Sequence, residues 1–283
     1  MRNVLSIQSW VSYGHVGNAS AVFPMQRLGV EVWAINTVMF SNHTGYGKWR
    51  GPVFGAEQVR EVFDGIAERG VLGGCDGVLS GYMGDAAIGE AILDAVARVK
   101  AANPAALYCC DPVIGDVGRG VFVRPGIPEF MRARAVPAAD IVTPNQFELE
   151  YLSGITVRDV ADAARAADAV HALGPKTILV TSLRHDGLVK DRIALMVSHA
   201  GRRHVVETPM LKVDVNGAGD AIAALFFVHF GRTRDAKTAL ENATASIYGL
   251  LKRTEEAGTR EIQTVAAQEE FVNPSRRFEA TKV

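Results

Sequence analysis

Along the chain the spacing of apolar residues switches repeatedly between a period of two and one near 3.6, the strand and helix signatures. Short apolar or alternating runs predict strands at Val4–Ile7, Val30–Phe40, Gly77–Ser80, Leu107–Asp111, Asp140–Thr143 and Thr177–Thr181. Two more follow at Arg192–His199 and His204–Thr208. Helical spacing covers Asn18–Leu28, Ala56–Arg69, Asp85–Ala102, Gln146–Ser153, Val157–Leu173, Gly217–Phe230 and Asp235–Arg253, with a last helix over Glu261–Phe271. Strands alternating with helices call for an α/β fold with a mostly parallel central sheet flanked by helices, since each parallel crossover needs a long connection. The exception is Ala200-Gly201-Arg202-Arg203, whose flanking runs read as a C-terminal antiparallel edge hairpin. No linker or composition break divides the chain, which predicts one domain over residues 1–283.

Composition narrows the function classes. Thirty basic residues against 31 acidic ones, a net charge of −1, leave no basic footprint for nucleic acid or for an anionic membrane. The longest apolar stretch, Ala221 to Phe230, is too short to span a bilayer, and the N-terminal residues lack the pattern of a signal peptide. Three cysteines, Cys75, Cys109 and Cys110, fit neither a disulfide framework nor a zinc pattern. These features together predict a soluble cytoplasmic protein. His15, His171, His185, His199, His204 and His229 show no metal-ligand spacing, and the methionines and phenylalanines fall at core positions.

The main chemical signal is Asn216-Gly217-Ala218-Gly219-Asp220, directly before an apolar helical run. Small residues at a helix start leave backbone N–H groups free to hold an anion, and the helix dipole adds positive charge. Asp220 also has a plainer reading, because carboxylates favour the first turn of a helix. Two other phosphate signatures are missing. Gly47-Lys48 is followed by Trp49 and has Asn42 where a P-loop needs glycine. The segment Ser9 to Gly17 after the first strand is no dinucleotide fingerprint.

Carboxylates stand just past predicted strand ends. Asp111 precedes Pro112, and Glu148 lies in Thr143-Pro144-Asn145-Gln146-Phe147-Glu148. Ligands of open α/β sheets sit outside the carboxyl ends of the strands, and magnesium takes one or two carboxylates plus waters and phosphate oxygens. The competing reading is that both residues cap turns or helices. The segment Phe40 to Trp49 is polar and rich in aromatics and could cover a flat heteroaromatic ligand, although without context plain loop chemistry is the favoured account of it.

Taken together, these residues resemble the ribokinase superfamily, and within it the bacterial pyridoxal kinases, over nearly the whole chain. The resemblance is carried by Tyr13-Gly14-His15-Val16-Gly17-Asn18, Phe40-Ser41-Asn42-His43-Thr44, Leu79-Ser80-Gly81-Tyr82, Cys110-Asp111-Pro112-Val113, and Pro144-Asn145 with Glu148. It implies a ribokinase-like fold and transfer of a phosphoryl group from ATP to the 5′-hydroxymethyl of pyridoxal, with Mg2+. It further implies Asp220 as catalytic base, and Asn216, Gly217, Ala218 and Gly219 as an anion hole. Ser9, His43, Thr44, Gly45 and Tyr82 match the pyridoxal pocket. Asp111 and Glu148 match metal and nucleotide-phosphate positions, while Thr143, Thr181, Thr208, Pro209, Met210 and Leu211 match the nucleotide site. The resemblance also implies a homodimer.

There are departures from the family pattern. Thr181 stands where close relatives often carry lysine, and the segment Leu211 to Val215 is short. The loop Gly115 to Phe122 resembles a phosphate lid without a cysteine, and Arg119 between Gly118 and Gly120 matches a phosphate contact. Two other functions compete: a hydroxymethylpyrimidine kinase of the same superfamily, disfavoured by Ser41-Asn42-His43-Thr44, and a non-catalytic B6-binding protein, which would need no base beside an anion hole.

Overall fold

The computed structural model describes residues 1–184, 187–189 and 191–283; His185, one of the histidines without ligand spacing, lies outside the described residues. The first half of the chain runs β1 (Asn3–Tyr13), α1 (Asn18–Arg27), β2 (Glu31–Asn42), α2 (Ala56–Ala67), β3 (Gly77–Ser80), α3 (Ala86–Ala102) and β4 (Leu107–Cys110). Two-residue strands β5 (Gly115–Asp116) and β6 (Gly120–Val121) and the helical turns α4 (Ile127–Phe130) and α5 (Val136–Ala138) come next. After them stand β7 (Ile141–Val142), α6 (Gln146–Ser153), α7 (Val160–His171), β8 (Thr177–Leu183), β9 (Arg192–His199) and β10 (Arg202–Pro209). The chain closes with α8 (Ala218–Thr233), α9 (Ala236–Ala257), α10 (Gln268–Val272) and β11 (Thr281–Lys282).

Among the described residues, nine strands share one sheet in the order β11-β10-β9-β8-β7-β4-β3-β1-β2. Pairing is parallel from β8 through β7, β4, β3 and β1 to β2. It is antiparallel between β8 and β9, β9 and β10, and β10 and β11. The expected hairpin is therefore β9–β10, but the edge itself is β11, whose Thr281 and Lys282 pair with Val205 and His204.

Side-chain alternation along the strands sorts the core into two layers. Val4, Leu79, Cys109, Ile141 and Leu179 face one way, onto α1, α8, α9 and α10. Their chain neighbours Leu5, Val78, Cys110, Val142 and Ile178 face the other way, onto α2, α3, α6 and α7. The adjacent cysteines thus point into opposite layers, and burial pushes both thiols above their ordinary range. Helix α8 is buried from Ala221 to Val228 because it lies against the sheet with α1 and α9 beside it. A helix in that position needs apolar residues all round.

Three expectations are corrected. Strand β1 does not end at Ile7; it continues through Ser9 to Tyr13, pairing with β2 beyond a register shift between Gln8 and Trp10. Glu261–Phe271 is not one helix, since only Gln268–Val272 is helical there and Glu261 sits in an isolated bridge to Asn216. Helix α7 begins at Val160 rather than Val157, because the Asp159 side chain accepts the Asp162 N–H and caps the helix there.

Candidate active site

The carboxyl ends of β1, β3, β4, β7 and β8 open into a cleft of about 690 Å³. Its wall holds Ser9 from β1, Tyr82 after β3, Asp111 after β4, Thr143 after β7, Thr181 and Ser182 from β8, and the whole run Asn216 to Asp220. His43 and Thr44 close it from the segment after β2, and Glu148 reaches it from α6. Thus the predicted catalytic run, most of the predicted substrate contacts and both predicted metal carboxylates share one cavity. Gly45 is beside it, its α-carbon facing the Asn216 amide and the His43 ring. Thr208, Pro209, Met210 and Leu211 do not line it; they lie at and just beyond the end of β10, with Met210 exposed.

The anion loop has a shape only glycine allows. Gly217 caps α8 with φ of 90°, and a β-carbon there would meet the His15 carbonyl oxygen at 1.8 Å. Ser20 Oγ donates to the Gly217 carbonyl at 2.7 Å and pins the turn. The N–H groups of Ala218, Gly219 and Asp220 then open α8 without intrahelical acceptors. Gly219 differs from Gly217: nothing lies within 4 Å of where its β-carbon would stand. The space it leaves belongs to the cleft rather than to packing.

The carboxylates perturb one another. Burial raises Asp220 from the ordinary 3.8 to about 6, against the pull of the Gly17 N–H and its own N–H. Burial, then the Asp220 charge, raises Asp111 to about 7, while a hydrogen bond from Thr143 Oγ1 at 2.8 Å pulls it down. Glu148 is also pushed up, by burial first and by Asp111 next. Titratable groups pushed this way in a cleft mark functional sites.

Glu148 fills the capping role that the sequence offered for it. Its Oε2 accepts the Asn145 N–H at 2.9 Å while Asn145 Oδ1 accepts the Glu148 N–H at 2.9 Å, a full capping box on α6. Its Oε1 accepts the Ile114 N–H at 2.9 Å, tying α6 to the segment beyond Asp111. Among the described residues no three His, Cys, Asp or Glu are gathered to hold a metal ion by themselves.

The β5–β6 ribbon forms one border of the cleft. Arg119 crosses from it to the anion loop, donating to Asn216 Oδ1 at 3.2 Å. Several wall residues had no sequence signal. Ser182 sits at φ 54° where the β8–β9 register shifts, a left-handed position that nothing local in the sequence announces. Arg124 also lines the cleft. Asn145 could have been found from its N-x-x-E spacing to Glu148.

A family model described as phosphomethylpyrimidine kinase matches residues 34–265. A protein of Granulibacter bethesdensis named pyridoxal kinase PdxY is 62% identical over 282 residues, covering 98% of this chain and 99% of that protein. One of the same name from Rubrobacter xylanophilus is 61% identical, covering 99% of this chain and 97% of that protein. Among solved structures, pyridoxal kinase from Leishmania donovani in complex with ADP and pyridoxamine superposes with a TM-score of 0.93 at 31% identity, over 100% of both chains.

Proposed function

This chain belongs to the pyridoxal kinases of the phosphomethylpyrimidine kinase family, and on that premise we propose that it transfers the terminal phosphoryl group of ATP to the 5′-hydroxymethyl of pyridoxal. The observation that carries the reading is Asp220, a carboxylate raised to about 6, standing at the third residue of a helix whose free N–H groups face the same cleft.

Phosphoryl transfer asks a protein mainly for positioning and charge stabilisation. Asp220 is mostly ionised at neutral pH, yet basic enough to accept the proton of an attacking hydroxyl. The backbone N–H groups of the Asn216 to Gly219 run hold the oxygens of the moving phosphoryl group, each such donor being worth on the order of 10²-fold. Ser9, His43, Thr44 and Tyr82 supply polar contacts for the ring of the acceptor, and Val11, Val38 and Phe40 supply an apolar face for it. Gly45 shapes the backbone beside them. Thr143 and Thr181 belong to the nucleotide half of the cleft, and Thr208 to Leu211 extend it beyond the cavity wall. Thr181 offers a hydroxyl in place of the lysine often found there, and Arg119, which lines the same cleft, supplies a cationic group for the phosphates.

The residues fit a magnesium ion bound jointly with nucleotide. Asp111 uses Oδ1 for Thr143, which leaves Oδ2 for the cation or its water, and Glu148 is suited to act through water because backbone N–H groups already occupy both oxygens. Bound there, the ion would neutralise phosphate charge. The proposal takes residues 1–283 as one kinase domain in the cytoplasm, as the sequence pattern led us to expect, and includes the homodimer that the resemblance implies.

The test is ADP release with pyridoxal, pyridoxine, pyridoxamine and hydroxymethylpyrimidine offered separately. Pyridoxal should be turned over with a higher kcat/KM than hydroxymethylpyrimidine. The reverse order would move the chain to the pyrimidine branch of its family, and binding without ADP release would make it a B6-binding protein.

A further inference from the structure

Ser20 does not line the cleft, yet its hydroxyl is tied to the loop that does. It stands in the first turn of α1, fully buried, between Ala19 and Ala21. A third alanine would suit that turn better by local rules, since alanine is the stronger helix former and a hydroxyl in a dry position needs a partner. The Ser20 N–H donates to the Gly17 carbonyl at 2.9 Å, inside the turn. Its Oγ does not bond back to its own helix; it donates at 2.7 Å to the Gly217 carbonyl, 197 residues further along the chain.

Helix α1 starts where the acceptor wall and the anion loop meet. Its cap, Gly17, has φ of 55°, and a β-carbon there would stand 2.3 Å from Ser9 Oγ. The Gly17 N–H draws on the Asp220 carboxylate, and the His15 carbonyl just before it crowds Gly217. The peptide that joins Gly217 to Ala218 is planar and trans, so its carbonyl and its N–H point opposite ways. The carbonyl accepts twice, from the Ala221 N–H at 3.0 Å along α8 and from Ser20 Oγ. The Ala218 N–H on the same plane then points out of the start of α8, where Ala218 borders the cleft. Glycine takes either sign of φ readily and helix ends fray, so neither Gly217 nor the first bond of α8 holds that plane firmly. The hydroxyl from α1 does.

We infer that Ser20 is a positioning residue for phosphoryl transfer, which pins the Gly217 carbonyl and so aims the Ala218 N–H at the oxygens of the moving phosphoryl group. The inference rests on the proposed kinase reading for the nature of the group that the anion loop holds. Ser20 acts through Gly217 and touches neither substrate. A donor aimed at the group in transit lowers the barrier without tightening the ground state, so losing the aim should slow transfer and leave binding alone.

The experiment is steady-state kinetics of Ser20→Ala with pyridoxal and ATP, beside calorimetric melting of the ligand-free chain. Turnover should fall about tenfold, less than the loss of a whole donor, while both KM values stay within about twofold. Ser20→Cys, near in size but a weak donor, should lie between the two. Affinity for a non-hydrolysable ATP analogue should not change. The mixture of ADP, magnesium, aluminium fluoride and pyridoxal, which mimics the group in transit, should bind about tenfold more weakly to Ser20→Ala. Unchanged kcat in folded Ser20→Ala overturns the inference. So does a fall in kcat joined to a raised KM for both substrates and a lowered Tm, the mark of a mere structural tether. Should the alanine variant not fold, the same two outcomes in Ser20→Cys decide it. If the wild-type enzyme prefers another acceptor, the pyridoxal reading fails, and the same comparison run with that acceptor still decides the role of Ser20. A wild type that releases no ADP with any acceptor overturns both.

Discussion

Replacing Asp220 by Asn sets two readings of one carboxylate against each other, and they differ in the sign of a stability change as well as in rate. The folded-state value of about 6 lies above the ordinary 3.8, so burial disfavours the charged form. Stability from this group is fully present below pH 3.8 and is lost as pH rises through about 6. A shift of about two units corresponds to ~3 kcal/mol at most, and water in the open cleft screens this to roughly 1–2 kcal/mol. Asparagine is near-isosteric and cannot ionise, so it escapes that cost. At pH 7.5 the ligand-free variant should melt a few degrees higher than the wild type, at roughly 2–4 °C per kcal/mol for a chain of this size. The gain should vanish by pH 4, where the wild-type carboxyl is protonated too. Turnover should meanwhile fall about 10²-fold or more, with pyridoxal and ATP affinities nearly unchanged. Scanning calorimetry across pH and a coupled ADP assay on the same preparations read both quantities. A variant that melts lower at pH 7.5 and keeps near-normal turnover would refute the reasoning, leaving Asp220 as a first-turn carboxylate serving the helix dipole.

Two further perturbations separate packing from chemistry. Gly217→Ala forces a β-carbon to 1.8 Å from the His15 carbonyl at a left-handed φ, and should destabilise the protein by about 3 kcal/mol or more in a denaturant titration. Gly219→Ala meets nothing in the protein and should leave Tm unchanged while lowering kcat/KM for ATP, because the added methyl occupies ligand space; equal Tm losses in both variants would contradict this. For the carboxylates, Asp111→Asn should raise the magnesium concentration needed for half-maximal rate with no loss of Tm, since its Oδ2 is free of protein donors. Glu148→Gln should lose about 1–3 kcal/mol, because an amide cannot accept the Ile114 and Asn145 N–H groups on both ends. An Asp111→Asn enzyme with wild-type magnesium dependence would remove that residue from the metal.

Much of this protein was legible from residue order alone, because the relevant physics is local. The alternation within Leu79, Cys109 and Leu179 and their neighbours placed the strands, and the strand–helix succession required a parallel sheet. A glycine pair before an apolar helix announced the turn that opens α8, and the capping alternative for Glu148 is what α6 shows. Carboxylates after strand ends pointed to the end of the sheet where the cleft opens. What tertiary structure decided is what depends on distant residues. Ser9 looked like loop and lies within a strand, because Trp10, Val11 and Tyr13 beyond it pair with Met39, Phe40 and Asn42 of β2. Ser182 takes a left-handed turn only because β8 shifts register against β9. Glu261 looked like the start of an amphipathic helix, and 218 residues separate it from the His43 ring it faces. Helical spacing reports which residues are apolar at short range; it carries no information about a carboxylate whose partners arrive from the other end of the chain.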